Sequence, residues 1–92
     1  MFEWDSAKAA GNFGKHVVSF EEAATVFEDS LAVCFADSEH SDAEDRFILV
    51  GYSAAERLLF VSHREMGQNI RIISARPATP FERKRHEQHI RF

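Results

Sequence analysis

Ninety-two residues, 45% of them hydrophobic and nine of them Phe, suffice for one globular domain with one core, which excludes a two-domain protein and a disordered chain. The single cysteine, Cys34, excludes an intramolecular disulfide and a cysteine-based zinc site within one chain, and it is typical of the reducing cytoplasm, where we expect the protein to act. No apolar run approaches the ~20 residues of a membrane span, we expect no signal peptide, and the net charge of −4 argues mildly against a general nucleic-acid binder.

The first residues predict a short strand followed by a helix. Residues 1–4 could form a short edge strand, and Asp5 is placed to cap a helix that begins at Ser6. The alanine-rich sequence after Ser6 favours this helix, whereas two glycines weaken it. We therefore expect the helix to end near residue 15 or 16.

A second helix is predicted from a capping box, in which side chains of the first turn bind its free backbone amides. Ser19 is the expected cap, and Glu22 is expected to reach back to it. Apolar residues then recur at helical spacing, which predicts a helix over residues 20–28. The apolar run that follows, over residues 31–36, predicts a strand.

Three further strands are predicted in the second half of the chain. A polar, acidic loop over residues 37–45 precedes strand-like runs over residues 46–52, 57–63 and 69–76. The joints between these runs are short, which predicts an antiparallel meander. Pro77 lacks the amide donor that a strand needs and should end the last strand.

The C-terminal residues predict a polar helix over about residues 80–90. Thr79 and Glu82 form a second capping box, with proline in the first helical position. The helix has few apolar residues, so it either covers the sheet loosely or waits for a partner. The predicted fold class is α+β: a small antiparallel sheet of about four strands plus a short N-terminal strand, two N-terminal helices and one C-terminal helix, in a single domain over residues 1–92.

The charges are segregated along the chain. Residues 1–63 contain four Lys and Arg against twelve Asp and Glu, whereas residues 64–92 contain seven against three. Most cations of the second segment are arginines, whose planar guanidinium group matches phosphate and carboxylate oxygens. The C-terminal third is therefore the expected anion-binding part.

The sequence resembles the BrnT toxin family over nearly its whole length. The residues that carry this resemblance are Phe2-Glu3-Trp4-Asp5, Lys8, Asn12, Lys15-His16, Val18-Ser19-Phe20-Glu21-Glu22-Ala23, Val26-Phe27, Asp29, Arg46-Phe47, Gly51, Ile70-Arg71-Ile72-Ile73-Ser74-Ala75-Arg76, Ala78-Thr79 and Glu82-Arg83. The resemblance implies a RelE-like ribonuclease fold and a toxin of a type II toxin–antitoxin pair that cleaves RNA without a metal and arrests translation. It also implies a BrnA-like antitoxin that neutralises the toxin, and contact with operator DNA only through the antitoxin complex.

Cleavage of RNA without a metal needs a base, an acid and cations that stabilise the charge growing on the phosphorus. Arg71 and Arg76 are the expected phosphate clamp, and the Ser-Ala-Arg ending that resembles the family favours Arg76. The ordinary alternatives are an ion pair with a helix carboxylate for Arg76 and a solvated strand face for Arg71. The odd separation of the two arginines places them on opposite faces of an ideal strand. Both could serve one site if the sheet twists, if a bulge intervenes or if Arg76 lies beyond the strand end; we favour the last.

His63 is the expected proton-transfer residue, with Glu65 as the alternative, because arginine cannot act as a base. The ordinary interpretation of His63 is a solvent-facing or packing histidine at a strand end. No cofactor is expected. A metal site is not expected either, because His86 and His89 share a helix face without an evident third ligand.

Further RNA contacts are expected from Arg46, Arg64, Lys15 and His16. Three of them have an ordinary alternative: Arg46 would pair with a neighbouring acid, and Lys15 and His16 would fix the junction between the two helices. The sequence also departs from the family at Met66, where many members carry an arginine. Together with the acidic net charge, Met66 favours a second hypothesis, an inactive binding module that acts only within an antitoxin complex.

Overall fold

The computed structural model describes residues 1–38 and 46–89. It contains five strands, three α-helices and a single turn of 3-10 helix at Val26–Glu28. The strands are β1 (Phe2–Glu3), β2 (Val33–Ala36), β3 (Arg46–Tyr52), β4 (Leu58–Met66) and β5 (Asn69–Pro77). The helices are α1 (Ser6–His16), α2 (Phe20–Thr25) and α3 (Pro80–His89). The predicted α+β class and the order of the elements are confirmed, although residues 39–45 of the predicted acidic loop lie outside the described residues.

The five strands form one sheet in the order β1-β5-β4-β3-β2. Strands β2 to β5 pair as an antiparallel meander, and the short β1 adds to β5 in parallel. This arrangement matches the predicted four-stranded sheet with a short N-terminal strand. Strand β5, which carries the expected phosphate clamp of Arg71 and Arg76, therefore lies between β4 and β1.

Side-chain caps fix the starts of the helices. Asp5 accepts a hydrogen bond from the Lys8 amide at 3.0 Å, and Ser19 accepts one from the Glu22 amide at 3.0 Å. The Glu22 carboxylate does not reach back to Ser19 as predicted. It instead accepts hydrogen bonds from Arg57 and from the Ser53 hydroxyl, which ties α2 to the start of β4. An available guanidinium group is a stronger partner for this carboxylate than one backbone amide.

The main core lies on one face of the sheet. Helices α1 and α2 cover this face, and the core residues there are Val18, Phe20, Ala23, Val26, Leu49, Leu59, Val61, Ile72 and Ala75. We call the opposite sheet face the outer face. Helix α3 lies over part of the outer face and leaves an apolar cavity of about 420 Å³ beneath it, so it covers the sheet loosely, as its composition predicts. The rest of the outer face is accessible, and the candidate site lies there.

Candidate active-site groove

Four arginines share the outer face of the sheet. Residues of β4 alternate between the main core and the outer face, and both Phe60 and Arg64 belong to the outer face. Arg64 is paired in register with Arg46 of β3 and with Arg71 of β5. Arg76 is paired in register with Phe60. Because paired residues of an antiparallel ladder point to the same side, the four guanidinium groups leave the sheet on one face.

A β-bulge at Ile73 brings Arg71 and Arg76 to the same face. The register between β4 and β5 shifts between Ser62 and His63, which leaves Ile73 as the extra residue of β5. Without the bulge, a separation of five residues would put the two arginines on opposite faces. The favoured expectation that Arg76 lies beyond the strand end is wrong, because β5 continues to Pro77. The bulge, the second of the three arrangements considered, is the one observed.

A groove of about 470 Å³ lies on the outer face, at the end of β2 and beside the start of α3. Its polar lining combines two cations, three hydroxyls and two carboxylates, contributed by Arg46, Arg76, Ser38, Ser62, Ser74, Asp37 and Glu82. Four of these residues come from the adjacent strands β3, β4 and β5, whose hydrogen-bonded ladder fixes their relative positions. Such a site suits an anionic ligand flanked by hydrogen-bonding groups.

Arg76 is held by contacts on two sides. Its guanidinium group lies 4.1 Å from the centroid of the Phe60 ring, within range of a cation–π interaction. Its two terminal nitrogens donate to the two carboxylate oxygens of Glu82, each at 2.8 Å. This ion pair raises the pKa of Arg76 and lowers the pKa of the Glu82 carboxyl group. The side chain of Arg76 is therefore ordered and charged before any ligand arrives.

Arg46 and Arg64 lie next to each other on β3 and β4. The Nε atom of each is buried and has no hydrogen-bond partner in the part of the chain that the structure describes. Arg46 lines the groove, whereas Arg64 does not. A buried donor without an acceptor is costly, so both groups would gain from an anionic ligand or ordered water.

Arg71 is paired with an acid on the neighbouring strand. Its Nη1 donates to Glu3 of β1 at 2.8 Å, and it does not line the groove. The ion pair is only half-buried, so it contributes little to stability. The structure thus brings Arg46 and Arg76 into the groove and leaves Arg64 and Arg71 elsewhere on the outer face.

His63 lies on the other side of the sheet. It is 2% exposed, its ring centroid is 4.9 Å from that of Phe27, and it stacks on Phe47 at 6.1 Å. Burial lowers the pKa of His63, which favours the neutral form. This placement corrects the interpretation of His63 as a proton-transfer residue, because a buried side chain on the opposite face cannot contact a substrate in the groove. The ordinary interpretation, a packing histidine, agrees with the structure.

The remaining expected site residues also lie away from the groove. Glu65 follows Arg64 on β4, so strand alternation points it away from the outer face. Lys15 and His16 belong to the last turn of α1, which packs on the core side of β5. The sheet therefore separates Lys15 and His16 from the groove, and their expected RNA contacts cannot form there.

The sequence-based interpretation missed the groove residues Ser62, Ser74 and Glu82. Glu82 was identified only as part of a capping box, and that role is correct: it exchanges hydrogen bonds with Thr79 at 2.9 and 3.1 Å. Its second role, the ion pair with Arg76, joins residues six positions apart. A carboxylate that follows an expected phosphate clamp so closely in the sequence is a recognisable candidate for an ion pair with it.

Within residues 1–38 and 46–89, no cluster of three or more His, Cys, Asp and Glu side chains is arranged to hold a metal ion. Over the same residues, no helix combines the length and apolar character that a membrane crossing requires.

Comparison with known proteins places the chain in a family. The family model described as "Ribonuclease toxin, BrnT, of type II toxin-antitoxin system" matches residues 4–82. A search of curated proteins finds no match. A solved structure that resembles this fold is the 1.1 Å crystal structure of the Brucella abortus ribonuclease toxin BrnT, with a TM-score of 0.68 and 23% sequence identity over 86% of this chain and 97% of that chain. The match of the family model over most of the sequence shows that this chain belongs to the BrnT family of ribonuclease toxins of type II toxin–antitoxin systems.

Proposed function

We propose that this chain is an endoribonuclease that needs no metal and that cleaves RNA in the outer-face groove, arresting translation in the cytoplasm. The observation that carries the proposal is the convergence of Arg46 and Arg76 on one groove. Guanidinium groups bind phosphate oxygens and stabilise the charge that grows on phosphorus during attack. Arg64 and Arg71, on the same face outside the groove, are suited to hold flanking phosphates, which position RNA without reading its sequence.

The proposed partner is a BrnA-like antitoxin that neutralises the toxin. Membership in a type II toxin–antitoxin family supports a protein antitoxin and an RNA substrate. We further propose that operator DNA is contacted only through the toxin–antitoxin complex. The net charge of −4 supports DNA contact through the complex, because an acidic chain has little general affinity for DNA by itself.

The direct test is cleavage of single-stranded RNA by the antitoxin-free protein in the presence of EDTA. Wild-type protein should cleave, and Arg76→Ala should lower the rate at least about tenfold, because it removes the cation that faces the scissile phosphate. The rate is read from the appearance of cleaved ends on a gel.

Arg83→Ala is the matched control. Arg83 lies on α3, is exposed, and places Nη1 3.4 Å from the Tyr52 hydroxyl without lining the groove. This variant should cleave at the wild-type rate. Wild-type protein that leaves RNA intact, or equal losses in the two variants with unchanged thermal stability, would overturn the proposal.

A second candidate function is a catalytically inactive binding module that acts only within an antitoxin complex, as a DNA-binding corepressor. The observation that favours it is the ion pair between Arg76 and Glu82, which occupies part of the expected phosphate clamp. Met66, at a position where many family members carry an arginine, also favours the inactive binding module. The EDTA cleavage experiment separates the two functions, since the binding module would leave RNA uncut at every protein concentration.

A further inference from the structure

The proposed cleavage needs a proton acceptor in the groove. Arginine stays protonated, and a serine hydroxyl is too weak a base to accept a proton unaided. Among the described residues that line the groove, the side chains that can accept a proton at neutral pH are the carboxylates of Asp37 and Glu82. Glu82 is the one that contacts Arg76, the proposed phosphate clamp.

Glu82 is the carboxylate fixed against the proposed phosphate clamp. Its Oε1 accepts hydrogen bonds from Arg76 and from the Thr79 amide, at 2.8 and 2.9 Å. Its Oε2 accepts one bond in the described part of the chain, from Arg76 at 2.8 Å. Oε2 therefore has a lone pair left for a substrate hydroxyl. The Glu82 side chain is 22% exposed, so a ligand in the groove can reach it.

Arg76 keeps donors for a phosphate while it is paired with Glu82. A guanidinium group carries five N–H donors. In the described part of the chain, Arg76 uses three of them: two for Glu82 and one for the Pro77 carbonyl oxygen. The Nε donor and one Nη2 donor remain, so a phosphate bound there would lie beside Oε2 of Glu82.

We propose that Glu82 is the catalytic base of the reaction, with Oε2 as the accepting atom; this inference rests on the proposed function. The 2′-hydroxyl of the ribose gives its proton to Oε2 while its oxygen bonds to the adjacent phosphorus. The bond from phosphorus to the 5′ oxygen breaks, and the departing oxygen takes a proton from water. The products are a 2′,3′-cyclic phosphate and a 5′-hydroxyl, and Glu82 returns its proton to solvent.

The surroundings of Glu82 keep it deprotonated. The hydrogen bond from Arg76 lowers the pKa of Glu82 most, burial partly opposes this, and the Thr79 amide lowers the pKa further. The other titratable or charged groups that line the two outer-face cavities beside Glu82 and Arg76 are Arg46, Asp37, Cys34, Arg85, His86 and His89. A base with a lowered pKa loses activity only as the pH falls through that pKa, which lies below the ordinary value of 4.5.

The pH dependence of wild-type cleavage gives the first test. With Glu82 as the base, the single-turnover rate constant should stay nearly constant from neutral pH down to about pH 5. A histidine base would lose about tenfold per pH unit below about 6.5. A steep fall in the rate within that range would overturn the assignment without any variant.

Glu82→Gln gives the second test, because glutamine keeps the shape of the side chain and loses the base. The cleavage rate should fall about a hundredfold or more. Binding of RNA with 2′-O-methyl groups, which cannot be cleaved, should change less than about threefold or become tighter, since a charge that opposes phosphate is removed. Thermal unfolding checks that the variant is folded.

Glu87→Gln is the control variant, because it makes the same change at an exposed residue of α3 that does not line the groove; it should keep the rate within about tenfold of wild type. Asp37→Asn alters the second groove carboxylate and should lower the rate less than Glu82→Gln does; a larger loss in Asp37→Asn would overturn the assignment of Glu82. If folded Glu82→Gln protein cleaves RNA at a rate within tenfold of wild type, Glu82 is not the base, and the proposed function still stands. Wild-type protein that does not cleave overturns the proposed function and the base assignment together.

Discussion

At the residue scale, Arg76 shows why a site residue can be expected from sequence while its surroundings cannot. The sequence pattern around it indicates a phosphate clamp. Its orientation depends on Phe60, sixteen positions earlier, and on Glu82, which only the folded chain brings to it. The sequence therefore singled out Arg76 and offered a helix carboxylate as its alternative partner, whereas the contact with Phe60 and the choice of Glu82 became visible only in the fold.

The buried His63 makes the stability of the protein depend on pH. Burial lowers the pKa of His63 in the folded protein, whereas the unfolded chain titrates near 6.5. As the pH falls below 6.5, the unfolded chain takes up a proton that the folded protein does not, so the free energy of unfolding falls. We predict that His63→Phe reduces this loss, as measured by urea unfolding at about pH 7 and about pH 5.5.

The same variant distinguishes packing from catalysis. His63→Phe should still cleave RNA, because the histidine lies on the sheet face opposite the groove. An equal loss of stability on acidification in both proteins would contradict the inferred neutral histidine. A folded variant without activity would restore the interpretation of His63 as a catalytic residue.

At the element scale, alternation and capping predict the strands and helix starts well, but they do not predict irregularities. The bulge at Ile73 depends on how β5 pairs with β4, which no pattern within β5 reveals. The expected helix over residues 20–28 is α-helical only to Thr25 and then tightens into a 3-10 turn. Both features arise from tertiary packing, which overrides local propensity.

Asn12 joins elements that are distant in sequence. Its buried side-chain amide donates to the Val18 and Ala75 carbonyl oxygens at 3.0 and 2.8 Å, and its oxygen accepts from the Ala75 amide at 3.1 Å. Asn12→Ala would leave these backbone groups buried without partners. We predict a loss of about 3 kcal/mol in the free energy of unfolding, measured with urea.

Asn69→Ala is the matched control for Asn12→Ala. Asn69 makes one part-buried side-chain hydrogen bond, to Glu3 at 3.1 Å, so its removal should cost less than about 1 kcal/mol. If Asn12→Ala lowers the free energy of unfolding no more than Asn69→Ala does, the Asn12 hydrogen bonds do not stabilise the packing of α1 on β5.

At the scale of the whole molecule, the basic C-terminal third and the acidic remainder are not two separate bodies. Arg46 belongs to the acidic part of the sequence, yet the register of β3 and β4 places it beside Arg64. Composition led to the expectation that the C-terminal third binds anions. It could not identify a face, because the arginines meet only after three strands pair, and one of those in the groove, Arg46, lies outside that third.

The location of the groove is tested most directly by NMR. The 15N-labelled protein is titrated with 2′-O-methyl RNA, and the backbone amide shifts are followed. We predict that the largest changes cluster at Arg46, Ser62 and Arg76, while the amides of Lys15 and His16 on α1 stay unchanged. Shift changes that are concentrated on α1, without changes at residues of the outer face, would contradict RNA binding in the groove.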